Sequence, residues 1–238
     1  MTRRLALGLV LGAGATAVAC STSPRDGAAR RLPSDCRATV TYVALGDSTV
    51  EGVAATSTRF NYVSRLHERL RVVYPAARVE NLGVGGAVSA DVLAHQLPRA
   101  LEANPDLVTL SVGPNDLTTG VTVDAYARTI DRILGTLVRD TPALIVVNLL
   151  PDLAITPRFA RSENRDAVGR LTRQFNEALA KKARAHGVTI VDLYERSRDE
   201  VPRRPELVAT DGYHPSDLGY ARWAELMWLQ MEPAVARC

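Results

Sequence analysis

Cysteine is scarce in this sequence: three residues in 238, at positions 20, 36 and 238. So few exclude a disulfide-dense small scaffold, and no cysteine–histidine cluster has the spacing of a metal site. Histidine is equally sparse, with four residues, and aromatic residues make up only 5% of the chain. Charge of one sign is also lacking. Lysine and arginine number 29 and aspartate and glutamate 26. A chain so balanced gives no electrostatic case for binding nucleic acid or an anionic membrane surface. Long apolar runs are missing beyond the N-terminus, and there is no internal repeat.

The first residues read as an export signal. Arg3 and Arg4 give a positive start, and Leu5 to Ala19 is uncharged and mostly apolar. That run is short for a transmembrane helix, which needs about 20 residues. Small residues lead into Ala17-Val18-Ala19-Cys20, which admits two readings. One is cleavage by an ordinary signal peptidase, giving a secreted protein. The other is a bacterial lipobox, with Cys20 lipidated and the protein held at the cell surface. The expected organisation is a signal over 1–19, a flexible tether over 20–36 rich in Ser, Thr, Pro, Gly and Arg, and one domain over 37–238. Without Arg3 and Arg4 the chain carries 27 basic and 26 acidic residues.

The domain alternates strand-like and helix-like segments. Thr39 to Leu45, Ala77 to Leu82, Leu107 to Val112, Ala143 to Leu149 and Val188 to Leu193 are short β-branched or apolar runs. Between them, Tyr62 to Val73 repeats apolar residues at helical spacing, as does the stretch carrying Tyr126, Ile130, Ile133, Leu134 and Leu137. Ser89, Thr122 and Ser216 are expected helix caps. Asn164 to His186 reads as a long helix closed by Gly187. Tyr220, Trp223, Met227 and Met231 mark the inner face of a last helix. Alternation of this kind gives right-handed crossovers and a parallel sheet covered on both faces. Ligands then bind at the carboxyl ends of the strands.

The residues just past those strand ends carry the chemistry. Gly46-Asp47-Ser48 follows the first strand, and a serine in a sharp turn there can aim its hydroxyl into a cleft. Asn81-Leu82-Gly83-Val84-Gly85-Gly86 follows the second, where glycine lets a backbone N–H face a ligand. Its spacing does not suit a dinucleotide. Gly113-Pro114-Asn115-Asp116 follows the third. Asp211-Gly212-Tyr213-His214 lies near the C-terminus, with a carboxylate placed to accept the imidazole Nδ1–H. Each motif alone is also an ordinary turn. His67, His95 and His186 lie in or at the ends of helices and are assigned solvated or packing roles.

The four motifs in this order resemble the conserved blocks of the SGNH, or GDSL-like, hydrolases, over roughly Thr39 to Trp228. The resemblance implies a flavodoxin-like three-layer α/β/α sandwich with a five-stranded parallel sheet. It implies hydrolysis of small-molecule carboxylic esters with Ser48 as nucleophile, His214 as base and Asp211 as its orienting acid. The oxyanion would be bound by the N–H groups of Ser48 and Gly86 and the amide of Asn115, with no metal or cofactor. Thr49 stands where the family name has leucine, and Gly85 where relatives often carry serine, so Gly83 remains an alternative to Gly86. No lid insertion is evident, which favours short acyl chains. Carbohydrate deacetylase and lysophospholipase activities occur in the same family, and a surface binding protein without turnover is the reading from another class. A monomer is expected, touching membrane only through a lipid at Cys20.

The two remaining cysteines are expected to pair. Cys36 precedes the first strand, at the edge opposite the catalytic site. The last helix starts beside His214 and runs back along the sheet for sixteen residues, about 24 Å. That exceeds the length of a strand, so Cys238 arrives at the same edge as Cys36 in an oxidising compartment.

Overall fold

The computed structural model describes Arg30 to Cys238. The expected signal and Cys20 lie outside the described residues. Five strands form one parallel sheet: β1 (Thr41–Gly46), β2 (Arg78–Asn81), β3 (Leu107–Ser111), β4 (Leu144–Asn148) and β5 (Thr189–Val191), in the order β2-β1-β3-β4-β5. Each lies within an expected run, except that β1 extends to Gly46. The order reverses between β1 and β3, where Tyr42 to Gly46 pairs with Leu107 to Ser111. A crevice opens at such a switch point.

Alternate strand residues feed two cores. Val43, Leu45, Val108, Leu110, Ile145 and Val147 face one layer of helices. That layer holds α3 (Ser89–Asp91), a π-helical turn (Val92–Gln96), α4 (Leu97–Glu102), α6 (Val123–Asp140) and α8 (Arg165–Ala185). Tyr42, Ala44, Leu107, Leu144 and Val146 face the other layer, α2 (Tyr62–Val73) and α10 (Asp217–Met231). Shorter helices sit at the carboxyl end of the sheet: α1 (Ser48–Glu51), α5 (Pro114–Thr118), α7 (Pro157–Ala160) and α9 (Leu193–Glu200). Strands buried on both faces are why their sequences run apolar without alternation.

Capping follows local chemistry, with one correction. Thr122 accepts the N–H of Ala125, and Ser216 that of Gly219. Ser89 is not a cap. Its hydroxyl and N–H both go to Asp116, and Asp91 closes the helix start by accepting the N–H of Val88. Asp116 is buried, and a buried carboxylate needs hydrogen-bond donors. Helix α9 was not foreseen; Asp192 caps it by accepting the N–H of Glu195.

The tether ends earlier than its expected boundary at residue 36. Leu32 is buried, and its N–H bonds the carbonyl of Ala234. The Arg30 guanidinium donates to the carbonyls of Val138, Thr141 and Ala143 at the C-terminal end of α6, where cations are favoured. The buried Tyr74 hydroxyl donates to the carbonyl of Pro33 at 2.8 Å and accepts the N–H of Ala236 at 2.9 Å. One phenol thus joins the two ends of the domain. Beside it, Cys36 and Cys238 form a disulfide with Cα atoms 6.5 Å apart.

The bridge closes a loop spanning 202 residues. Replacing both cysteines by serine is predicted to lower the unfolding free energy by about 2–5 kcal/mol. Tyr74→Phe is predicted to cost about 1 kcal/mol more by removing the hydroxyl that joins Pro33 to the half-buried Ala236. Urea titrations of the single and combined variants check both values. An unchanged midpoint in the double cysteine variant contradicts the clasp.

Candidate active site

The strand β1 ends where it comes closest to β3. Gly46 has φ +146°, and a Cβ there would lie 1.9 Å from the carbonyl oxygen of Ser111. Only glycine fits both the angle and the space. The buried Gln96 amide then brackets Gly46, accepting its N–H at 2.7 Å and donating to its carbonyl at 2.8 Å. The chain turns, Asp47 caps α1 through the N–H of Thr49, and Ser48 opens the helix.

The Asp211-to-His214 loop reaches Ser48 from the far end of the chain. Tyr213 and His214 donate their N–H groups to Asp211 Oδ1 at 2.9 and 3.0 Å. Asp211 Oδ2 lies 2.6 Å from His214 Nδ1, and His214 Nε2 lies 2.9 Å from Ser48 Oγ. Partial burial raises the Asp211 carboxyl, but the bonds from the His214 ring and the two N–H groups outweigh it, leaving it below the usual carboxylate range. An ionised carboxylate facing Nδ1 favours the tautomer that donates from Nδ1 and leaves Nε2 toward the serine hydroxyl.

Two tethers hold this loop. Thr56 donates its N–H and hydroxyl to Asp217, the first residue of α10, at 2.9 and 2.5 Å. Tyr220 donates to the carbonyl of Val53 at 2.7 Å. Both join the chain after Ser48 to the chain after His214.

Three donors face away from other partners. Among the described residues no hydrogen bond takes the N–H of Ser48 or of Gly86, which has φ +80° and open space at its Cα. Gly83 differs. Its N–H goes to Asn81 Oδ1, and a Cβ would strike Glu51 and Val50, so packing accounts for that glycine. Gly85 gives its N–H to Glu51. The Asn115 amide donates one hydrogen to the carbonyl of Ala87 at 3.0 Å, and its second has no acceptor among the described residues. That bond, with the Ser89–Asp116 pair, fastens the glycine turn to α5.

Sequence reasoning missed the buried polar support. Asp47 Oδ1 accepts from the N–H and hydroxyl of Thr49, whose hydroxyl meets Ser111 Oγ at 3.1 Å, which in turn accepts from Asn148. Polar residues inside otherwise apolar strand ends were the available signal. Of the other histidines, His67 bonds the carbonyl of Ala77, His186 bonds Asp131, and His95 is exposed. Among the described residues no group of three or more His, Cys, Asp or Glu is placed to hold a metal ion.

A serine hydroxyl, an imidazole and a carboxylate in hydrogen-bonded sequence at the carboxyl edge of a parallel sheet are an arrangement that hydrolases can use. The comparison with known families gives the particular family. A family model for the GDSL-like lipase/acylhydrolase family matches residues 44–222, and the chain belongs to that family, whose members act on ester bonds. The acetylxylan esterase Axe2 of Geobacillus stearothermophilus is similar in structure, with TM-score 0.67 and 21% identity, over 83% of this chain and 96% of that one. TesA is similar with TM-score 0.67 and 22% identity, over 82% and 99%. LAE5, an α/β hydrolase from the metagenome of Lake Arreo, Spain, has TM-score 0.67 and 18% identity, over 83% and 98%. No curated protein sequence matches the chain.

Asp47 sets a pH dependence. Burial pushes its carboxyl up to about 6, against the bonds from Thr49, and its Oδ2 has no partner among the described residues. The folded state therefore holds a proton that the unfolded chain, at the ordinary 3.8, releases. The contribution of this group to stability is full below pH 4 or so and falls as pH rises to about 6. Asp47→Asn keeps the acceptor and removes the titration. The stability of the wild type relative to Asp47→Asn is predicted to fall by about 2–3 kcal/mol over that window and to level off above it. Urea unfolding of both proteins between pH 4 and 8 measures it, and a flat difference contradicts the assignment.

Proposed function

We propose that this chain is an exported serine esterase that hydrolyses small or short-chain carboxylic esters through an acyl-enzyme on Ser48. The observation that carries the reading is the continuous chain from Asp211 through His214 to Ser48, with links of 2.6 and 2.9 Å. Ser48 Oγ attacks the acyl carbon while His214 Nε2 takes its proton. The tetrahedral oxyanion is met by the N–H groups of Ser48 and Gly86 and the free hydrogen of the Asn115 amide. The intermediate collapses, the C–O bond to the alcohol breaks, and His214 returns the proton to the leaving oxygen. Water then repeats the sequence on the acyl-enzyme, and Asp211 stabilises the imidazolium each time. A surface protein that only binds would have no need of an imidazole aimed at a serine hydroxyl.

Ser48→Ala is predicted to abolish hydrolysis of p-nitrophenyl esters and labelling by a fluorophosphonate, with an unchanged melting temperature. Asn115→Ala is predicted to lower kcat by about 100- to 1,000-fold with little change in KM, because its bond tightens only in the transition state. Undiminished turnover by folded Ser48→Ala overturns the mechanism. A variant at Asn115 that loses stability but keeps kcat makes that residue a structural clasp on Ala87. Acetylated xylo-oligosaccharides run beside the phenyl esters test the deacetylase alternative.

For the N-terminus, the small residues before Cys20 and the apolar run preceding them support export with a diacylglyceryl thioether at Cys20. Intact mass of the native protein is predicted to show a chain beginning at Cys20 with added lipid. A mature chain without that mass makes the protein freely secreted.

A further inference from the structure

Val84, Gly85, Gly86 and Ala87 form a tight turn, closed by the bond from the Ala87 N–H to the carbonyl of Val84 at 3.1 Å. Gly86 sits third in it with φ +80°, the value of that position in a type II turn. Two adjacent glycines at the centre of a turn put no Cβ in the way of rotation, so the surroundings must hold the peptide they share. Up to Val84 the sheet does this. The N–H of Leu82 bonds the carbonyl of Ala44 at 2.9 Å, and that of Val84 bonds the carbonyl of Gly46 at 3.2 Å. Beyond Val84, two side chains take over. The Gly85 N–H donates to Glu51 Oε2 at 2.6 Å, and the carbonyl of Ala87 accepts from the Asn115 amide at 3.0 Å. Gly86 lies between these two ties.

Glu51 and Gly85 are fitted to each other. A Cβ at position 85 would lie 2.8 Å from Glu51 Oε2, so a larger residue there pushes the carboxylate away. Glu51 is the last residue of α1, the helix that Ser48 opens. Its own backbone is fixed: the N–H bonds the carbonyl of Asp47 at 3.0 Å, and the carbonyl accepts from the Asn61 amide at 3.3 Å. The side chain therefore reaches the glycine turn from a rigid base that also carries Ser48.

We propose that Glu51 is a positioning residue for the oxyanion donors: its carboxylate ties the glycine turn to α1, so that the N–H groups of Ser48 and Gly86 keep one spacing. The inference rests on Ser48 being the nucleophile and Gly86 an oxyanion donor. Glu51 acts through Gly86 and not on the ester. Its side chain is exposed, and water competes for both partners of such a bond, so the fold gains little from it. The gain is geometric. An oxyanion donor is effective when it already stands where the charge develops. A turn free to rock takes the Gly86 N–H away from that place, which raises the barrier and leaves binding of the uncharged ester nearly as it was.

The test is steady-state kinetics on p-nitrophenyl acetate and butyrate with the full chain, each variant normalised to the end point of fluorophosphonate labelling. Glu51→Ala is expected to lower kcat about tenfold, with KM within about twofold and an unchanged Tm. Its affinity for a trifluoromethyl ketone, whose serine adduct carries the oxyanion, is expected to fall in the same proportion as kcat. Glu51→Gln keeps an acceptor for the Gly85 N–H and is expected to retain kcat. Gly85 is not among the positive-φ glycines, so alanine suits its backbone, and Gly85→Ala is expected to match Glu51→Ala by displacing the carboxylate. The double variant is expected to be no slower than either single one, because both changes break the same bond. Losses that multiply in the double variant, a Glu51→Gln protein as slow as Glu51→Ala, or a Glu51→Ala protein with lowered Tm and full kcat per labelled site overturn the proposal and leave the esterase reading intact. Absence of hydrolysis by the wild type overturns both.

Discussion

Everything at the catalytic edge depends on how closely β1 and β3 approach at Gly46 and Ser111. A side chain at position 46 would occupy the space of the Ser111 carbonyl, so the two strand ends touch only because glycine is there. The contact places Asp47 in the protein interior and leaves Ser48 at the start of a short helix with its N–H unpaired among the described residues. Two buried amides secure the strand ends from the same helix layer. Gln96 brackets Gly46, and Asn176 brackets Leu150, accepting its N–H at 2.8 Å and donating to its carbonyl at 2.9 Å. Each amide supplies the donor and acceptor that a neighbouring strand would have supplied. The backbone at the site is thereby satisfied without extending the sheet into the cleft.

Ser48 and His214 sit 166 residues apart in sequence, and their distance is set by elements outside the site itself. Asp217 takes two bonds from Thr56, and Tyr220 bonds the carbonyl of Val53, so the first turn of α10 is fastened to the loop after Ser48. At the other end of the sheet, Tyr74 and the Cys36–Cys238 bridge join the beginning and end of the domain. Helix α10 is thus held at both ends. A hydrogen bond of this kind contributes about 1 kcal/mol to stability. Its larger effect here is positional, because it holds the His214 loop against the turn that carries Ser48.

The buried polar row behind the serine has a cost. Asp47 is fully enclosed, and one of its oxygens finds no donor. Burial accordingly pushes its carboxyl up to about 6. Asp211 has the opposite environment: three donors converge on it, and it stays below the ordinary range. The two aspartates are separated in character by burial and by the number of N–H groups each accepts, and Asp211 alone contacts the imidazole ring.

The sequence by itself determined the alternation of strands and helices, because apolar runs of five or six residues and helical spacings are local patterns. It also determined the four motifs, which are ordinary turns one by one and become legible through their order along the chain. The pairing of Cys36 with Cys238 followed from the direction and length of the last helix. Other features were settled only by tertiary structure. The sequence prefers Gly86 over Gly83 only through the resemblance to the family's motif. They differ because Gly83 packs on Val50 and Glu51 and has given its N–H to Asn81, while Gly86 has done neither. Ser89 resembles a cap until Asp116, 27 residues away, claims both of its donors. The docking of Arg30 on the end of α6 and the tie between Thr56 and Asp217 join segments with no local relation. Such contacts depend on where the folded sheet brings distant side chains, and no spacing along the chain encodes that distance.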